Sequence, residues 1–157
     1  RVNEFSGKSG SKSKRGGPSV FDQQLEGNLV ILQDGKLKKT EDVAKPKKYY
    51  IFYYTASWCG PCQAFTPTLV EWYNKNKNEN FELVLISSDN DKRAMAQYAS
   101  AKKMPWPQLE LSKSDSFKKK FDHGVTSIPS LIVCDLDGNK IGNYRKRLSE
   151  LTPLVSE

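Results

Sequence analysis

Two uninterrupted apolar runs constrain this chain most. "KYYIFYYTA" (Lys48–Ala56) and "FELVLISS" (Phe81–Ser88) are β-prone and show no alternation of polar and apolar residues. A strand with one wet face alternates, so runs of this kind suit strands covered on both faces. Between them, "CQAFTPTLVEWYNKNK" carries Phe65, Leu69, Trp72 and Tyr73 at helical spacing. The apolar period continues across Pro67, which is therefore expected to kink this helix and not to end it. A strand, a helix and a second strand of this length imply a crossover and parallel pairing at the centre of a sheet.

The flanking segments extend that sheet. "NLVILQ" (Asn28–Gln33), a turn signal at Asp34–Lys36 and "KLKKT" read as an extra N-terminal β-hairpin. After the second run, Asp89 or Asn90 is expected to cap a helix in "DNDKRAMAQYASAKK". "PQLEL" is a short strand, and "SDSFKKKFDHG" is a short helix ending at Gly124. "PSLIVCDLDGNKIGNY" is a hairpin that adds antiparallel edges, and "RLSELTPLV" is a terminal helix. The order predicts an α/β fold with a central mixed sheet and helices on both faces.

Length and charge bound the rest. The 157 residues suit one domain with some extra chain. No apolar run reaches the roughly 18 residues of a membrane helix. The net charge is +7, but residues 1–17 hold five Lys/Arg and one Glu, and so supply +4 of it. Residues 1–19 are read as a flexible basic linker and 20–157 as the domain, because the leader is Ser-, Gly- and Lys-rich with little to bury. A nucleic-acid or acidic-lipid arm would be the sharper reading of that leader, but it lacks interleaved aromatics and helical amphipathicity. The folded part is expected to be a monomer that binds no nucleic acid.

The three cysteines carry the chemistry. Cys59 and Cys62 stand two residues apart, after the first strand and at the start of the helix. Zinc wants four ligands, and only Cys134 and His123 remain to complete such a set. A purely structural disulfide would close a trivial loop and constrain little. A redox pair fits the setting, since unpaired N–H groups and the dipole at a helix N-terminus favour a thiolate. Cys134, mid-strand in "LIVCD", reads as a small buried hydrophobe, and His123 as a surface residue near a helix end. "DLDGN" has its glycine too early for a calcium loop and reads as a hairpin turn.

"WCGPC" resembles the active-site motif of thioredoxins. The stretch "YYTASWCGPCQAFTPTLVEWY", with "LISSDNDKRAMAQYA", "MPWPQL" and "GVTSIPSLIVCDLDGN", is similar to the tryparedoxin and nucleoredoxin branch and its bacterial thioredoxin-like relatives. The resemblance runs from about Asn28 to Tyr144 and implies a thioredoxin fold. It also implies roles. Cys59 would be the exposed nucleophile and Cys62 the resolving thiol, with Gly60 and Pro61 shaping the turn and Trp58 shielding one side. Pro129 would be a cis-proline facing the disulfide, leaving the backbone of Ile128 to pair with an extended substrate. Trp106 would border the site, with core packing as its alternative. Thioredoxins place a buried acid six residues before the nucleophile; this chain has Tyr53 there.

The activity implied is thiol–disulfide exchange that reduces protein disulfides, fed by an unidentified electron donor and needing no organic cofactor and no metal. A non-catalytic peptide-binding module and an exported reductase serving cytochrome maturation are the alternatives. The polar basic leader resembles a spacer left after signal or anchor removal, so a bacterial envelope location is expected, with cytoplasm as the alternative.

Overall fold

The computed structural model describes residues 16–157. Most of the expected basic linker, residues 1–15, lies outside the described residues.

The chain opens with a short helix α1 (Asp22–Leu25), which the sequence pattern did not reveal because four residues show no period. Strands β1 (Leu29–Gln33) and β2 (Lys36–Lys39) form the N-terminal hairpin. Its two-residue loop, Asp34 and Gly35, has φ of 54° and 78°, the left-handed pair that matches the twist of a tight hairpin. Then follow β3 (Tyr49–Thr55), α2 (Gly60–Asn76), β4 (Phe81–Ser87), α3 (Lys92–Lys102) and β5 (Gln108–Leu109). The last elements are α4 (Leu111–Lys120), β6 (Ser130–Asp135), β7 (Lys140–Asn143) and α5 (Leu148–Ser156).

The seven strands form one sheet in the order β2-β1-β5-β4-β3-β6-β7. β4 runs parallel to both β3 and β5, as the crossover argument requires. β6 pairs antiparallel with β3 and is therefore interior; of the C-terminal hairpin only β7 is an edge.

The two apolar runs are strands buried on both faces, and the pleat sorts their side chains into two layers. Ile51, Tyr53, Leu83 and Leu85 face the layer that holds Leu69, Trp72 and Tyr73 of α2, Tyr98 of α3 and Leu151 of α5. Tyr50, Phe52, Tyr54, Val84 and Ile86 face the other layer, with Phe21, Leu25 of α1 and Phe117 of α4. Phe52 sits at the centre of that second layer, edge-on to Phe21 at 4.8 Å and tilted against Phe117 at 4.9 Å.

Two helix boundaries differ from expectation. α3 is capped by Asp91, whose Oδ1 accepts the Ala94 N–H at 2.8 Å, and not by Asp89 or Asn90. The Asp89 carboxylate is engaged elsewhere, with Ser57. α4 begins at Leu111 and ends at Lys120, short of Gly124, because Phe121 and His123 must leave the helical path to pack under the sheet.

Candidate functional site

β3 ends at Thr55 and α2 begins at Gly60, so the intervening loop delivers Trp58 and Cys59 to the carboxyl end of the parallel strands, where α/β folds place their sites. Cys59 is the N-cap of α2, with extended backbone, and Pro61 stands in the first turn, where a missing N–H costs nothing. The Cys59 Sγ accepts the Cys62 N–H at 3.2 Å. That is the contact by which a helix N-terminus stabilises a thiolate, worth more to the charged sulfur than to the thiol. The two cysteines are joined as a disulfide with Cα atoms 5.2 Å apart. Cys59 retains 6% exposure while Cys62 has none, so the first cysteine is the more accessible of the two.

Around Cys59 the expected support residues gather. Trp58 is 61% exposed and donates its indole N–H to the Ser88 carbonyl at 3.1 Å. The Ile128–Pro129 peptide is cis, and the Ile128 carbonyl oxygen lies 3.7 Å from the Cys59 Sγ. Trp58 and Ile128 border a groove of about 460 Å³, walled further by Tyr54, Phe121 and His123, with Lys118 at its side. Trp106 is not among its walls. It is fully buried, edge-on between Tyr53 at 5.9 Å and Tyr73 at 5.6 Å, and so occupies the core.

Under α2 lies a closed set of hydroxyls where thioredoxins carry an acid. Thr66 donates to the Cys62 carbonyl at 2.8 Å. Its Oγ1 lies 2.7 Å from the hydroxyls of both Tyr53 and Tyr98, and Tyr98 lies 2.7 Å from the Thr55 hydroxyl. Since the single Thr66 proton goes to the carbonyl, both phenols donate to Thr66 and Thr55 donates to Tyr98. Burial pushes the Tyr53 phenol well above its ordinary value, so it stays protonated and serves as a donor, not a base.

His123 is buried, contrary to the surface position expected of it. Its ring stacks on Phe52 at 5.7 Å, its Nδ1 lies 2.7 Å from the Tyr54 hydroxyl and its Nε2 lies 3.5 Å from the Cys134 Sγ. Burial first, and the nearby Lys140 charge second, hold its pKa below the ordinary histidine value. Cys134 is fully buried, as expected, and burial pushes its thiol up to about 12. Cys134 packs in the layer opposite α2, and His123 stacks on Phe52 of that same layer.

Sequence reasoning missed Asp89 and Ser57, which meet across 32 residues of chain. The one available signal was the position of Asp89 just beyond a buried parallel strand.

A mixed sheet with a helix-capping Cys-Gly-Pro-Cys pair opposite a cis-proline defines a thioredoxin-fold protein with a dithiol site. A family model described as thioredoxin-like matches residues 47–141. The chain is 32% identical to a probable nucleoredoxin 1 of Arabidopsis thaliana over 83% of its own length and 23% of that protein. It is 41% identical to a tryparedoxin of Trypanosoma brucei brucei over 60% of its length and 65% of that protein. Among solved structures, tryparedoxin from Trypanosoma brucei superposes with a TM-score of 0.63 at 36% identity, covering 83% of this chain and 90% of that one. Tryparedoxin I from Crithidia fasciculata gives 0.64 at 33% identity over 83% and 90%. The chain belongs to the thioredoxin-like family. It spans only about a quarter of the plant nucleoredoxin and just under two thirds of the curated tryparedoxin.

Proposed function

We propose that this chain is a thiol–disulfide oxidoreductase that reduces disulfides in protein substrates. The observation that carries the reading is the placement of Cys59. Its sulfur caps α2 and accepts the Cys62 N–H, and Cys59 is the more exposed residue of the pair. In the reduced protein the Cys59 thiolate attacks one sulfur of a substrate disulfide. A Cys59–substrate S–S bond forms, the substrate S–S bond breaks, and the departing sulfur leaves as a thiolate that takes a proton from water. Cys62 then attacks the Cys59 Sγ; the Cys59–Cys62 bond forms, the Cys59–substrate bond breaks, and the second substrate sulfur leaves and takes up the proton that Cys62 gives. Two electrons have moved to the substrate. An external dithiol donor, by the same exchange in reverse, restores the pair. The two thiols themselves carry the electrons and give them up as the Cys59–Cys62 bond forms, so the exchange as proposed calls on neither a metal nor an organic cofactor.

The groove beside Trp58 and Ile128 supports a substrate presented as an extended segment, paired with backbone at the cis-proline turn. Insulin-disulfide reduction with dithiothreitol as donor tests the activity. Cys62→Ser should retain attack but lose resolution, so client proteins from an extract stay covalently attached on non-reducing gels. Cys59→Ser should abolish both turnover and trapping, and Cys134→Ser neither. A Cys59→Ser protein that still traps clients would refute the assignment of the nucleophile.

A further inference from the structure

Asp89 stands just past the carboxyl end of β4 and is only 8% exposed. Its Oδ1 accepts both donors of Ser57, the N–H at 2.9 Å and the hydroxyl at 2.5 Å. The Ser87 hydroxyl accepts the Asp89 N–H at 2.9 Å and points its own proton toward Oδ2 at 3.4 Å. The Ser57 carbonyl in turn accepts the Gln63 side-chain amide at 2.7 Å. Every polar group of Ser57 is thereby engaged, and the neighbouring Trp58 is held by Ser88. The residues immediately before Cys59 thus hang on the turn that follows β4.

A carboxylate is an expensive group to bury without a cation, and among the described residues no Lys or Arg pairs with Asp89. Nor is it needed to cap α3, because Asp91 does that. Its hydrogen bonds are spent on the active-site loop instead. Ser57 and Cys59 are two residues apart, so their Cα atoms lie within about 7.6 Å, and the Asp89 carboxylate is bound to the loop that carries Cys59. Other charged groups stand near the same loop, beginning with Asp91, which caps α3 two residues beyond Asp89. The Lys118 ammonium of α4 bonds the Ser88 hydroxyl at 2.8 Å and acts in the opposite sense. Asp122 and His123 line the groove beyond it, and the first turn of α2 carries no acid.

We propose that Asp89 is a positioning residue for the redox step. It fixes the Ser57–Trp58 approach so that the Cys59 sulfur sits at the α2 N-terminus, and its carboxylate holds the acidity of Cys59 below what the helix alone would confer. The turnover part of this assignment rests on the function proposed above; the acidity part does not.

The test uses the full chain and its Asp89→Asn, Asp89→Ala and Ser57→Ala variants. In the reduced proteins, the rate of Cys59 alkylation by iodoacetamide is followed against pH by mass-spectrometric mapping. Asp89→Asn keeps an oxygen acceptor for Ser57 and removes the charge, so the half-maximal pH should fall by about 0.3 unit or more. Asp89→Ala also frees the loop, so insulin reduction should drop about tenfold or more. Ser57→Ala loses one of the two bonds and should drop about threefold. Thermal melts establish which variants are folded, and Ser57→Ala carries the turnover arm if Asp89→Ala is not. An unmoved or raised half-maximal pH in Asp89→Asn overturns the assignment. So does turnover within twofold of the parent in folded Asp89→Ala, or unchanged turnover in Ser57→Ala where that variant carries the arm. Because alkylation needs no turnover, a chain inert toward insulin would refute the proposed function while the alkylation arm still decides the role of Asp89.

Discussion

Replacing His123 by Gln should remove a defined part of the acid sensitivity of this fold. His123 is the only histidine in the chain, so titration of imidazole between pH 7 and 5 can be attributed to one site. A neutral ring donates at one nitrogen and accepts at the other, which satisfies both the Tyr54 hydroxyl and the Cys134 thiol. A second proton turns the acceptor into a donor and places a charge among Phe52, Phe117 and Phe121. Burial and Lys140 therefore lower the folded-state pKa beneath the unfolded value of about 6.5. Between those two values the unfolded chain holds more protons than the folded one. The stability from a neutral His123 is thus complete above about pH 6.5 and is lost as pH falls through that value toward the folded pKa. The slope approaches about 1.4 kcal/mol per pH unit within the window. The parent should therefore lose stability between pH 7 and 5 on this account, by no more than about 2 kcal/mol. Asp135 is also shifted: slight burial works against it, but hydrogen bonds from Asn139, Asp137 and Gly138 hold its carboxyl below the usual range, so its contribution is lost only at lower pH. Urea melts at pH 7.5, 6.5, 5.5 and 5.0 would read the effect. His123→Gln should be weaker than the parent by about 1–3 kcal/mol at pH 7.5, with a gap that narrows steadily as pH falls from 6.5 toward 5. Parallel pH dependences in the two proteins would refute the reasoning.

Native alkylation of the reduced protein should label Cys59 first and Cys134 last, since Cys134 is fully buried with its thiol pushed up to about 12; early labelling of Cys134 in peptide maps would contradict this. Thr66→Val should cost about 1–3 kcal/mol in chemical denaturation, because it strands the buried hydroxyls of Tyr53 and Tyr98 without their shared acceptor. A loss below about 0.5 kcal/mol would mean that those phenols find other partners.

Much of this architecture was legible along the chain because its signals are local. The two apolar runs announced strands covered on both faces, Asp34-Gly35 announced a tight hairpin, and the Cys-Gly-Pro-Cys stretch announced a helix start bearing a reactive sulfur. Each depends on residues within a few positions of one another, where backbone preference and side-chain period act directly. The errors also had local causes. Asp89 looked like a helix cap because a short acid before a helical stretch usually is one, and His123 looked like a surface residue because it stands next to a helix end.

Tertiary structure alone decided which distant groups meet. The placement of β6 inside the sheet, antiparallel to β3, follows from pairing across some 80 residues, which no local period encodes. The same packing turned Phe121 and His123 inward against Phe52, carried Trp106 into the core between Tyr53 and Tyr73, and set Asp89 against Ser57. Burial then altered what those side chains are chemically: it keeps His123 neutral, raises Cys134 and makes Tyr53 a fixed donor. A residue's type is written in the sequence, but its solvation is a property of everything folded around it, and solvation sets which protons and charges it can hold.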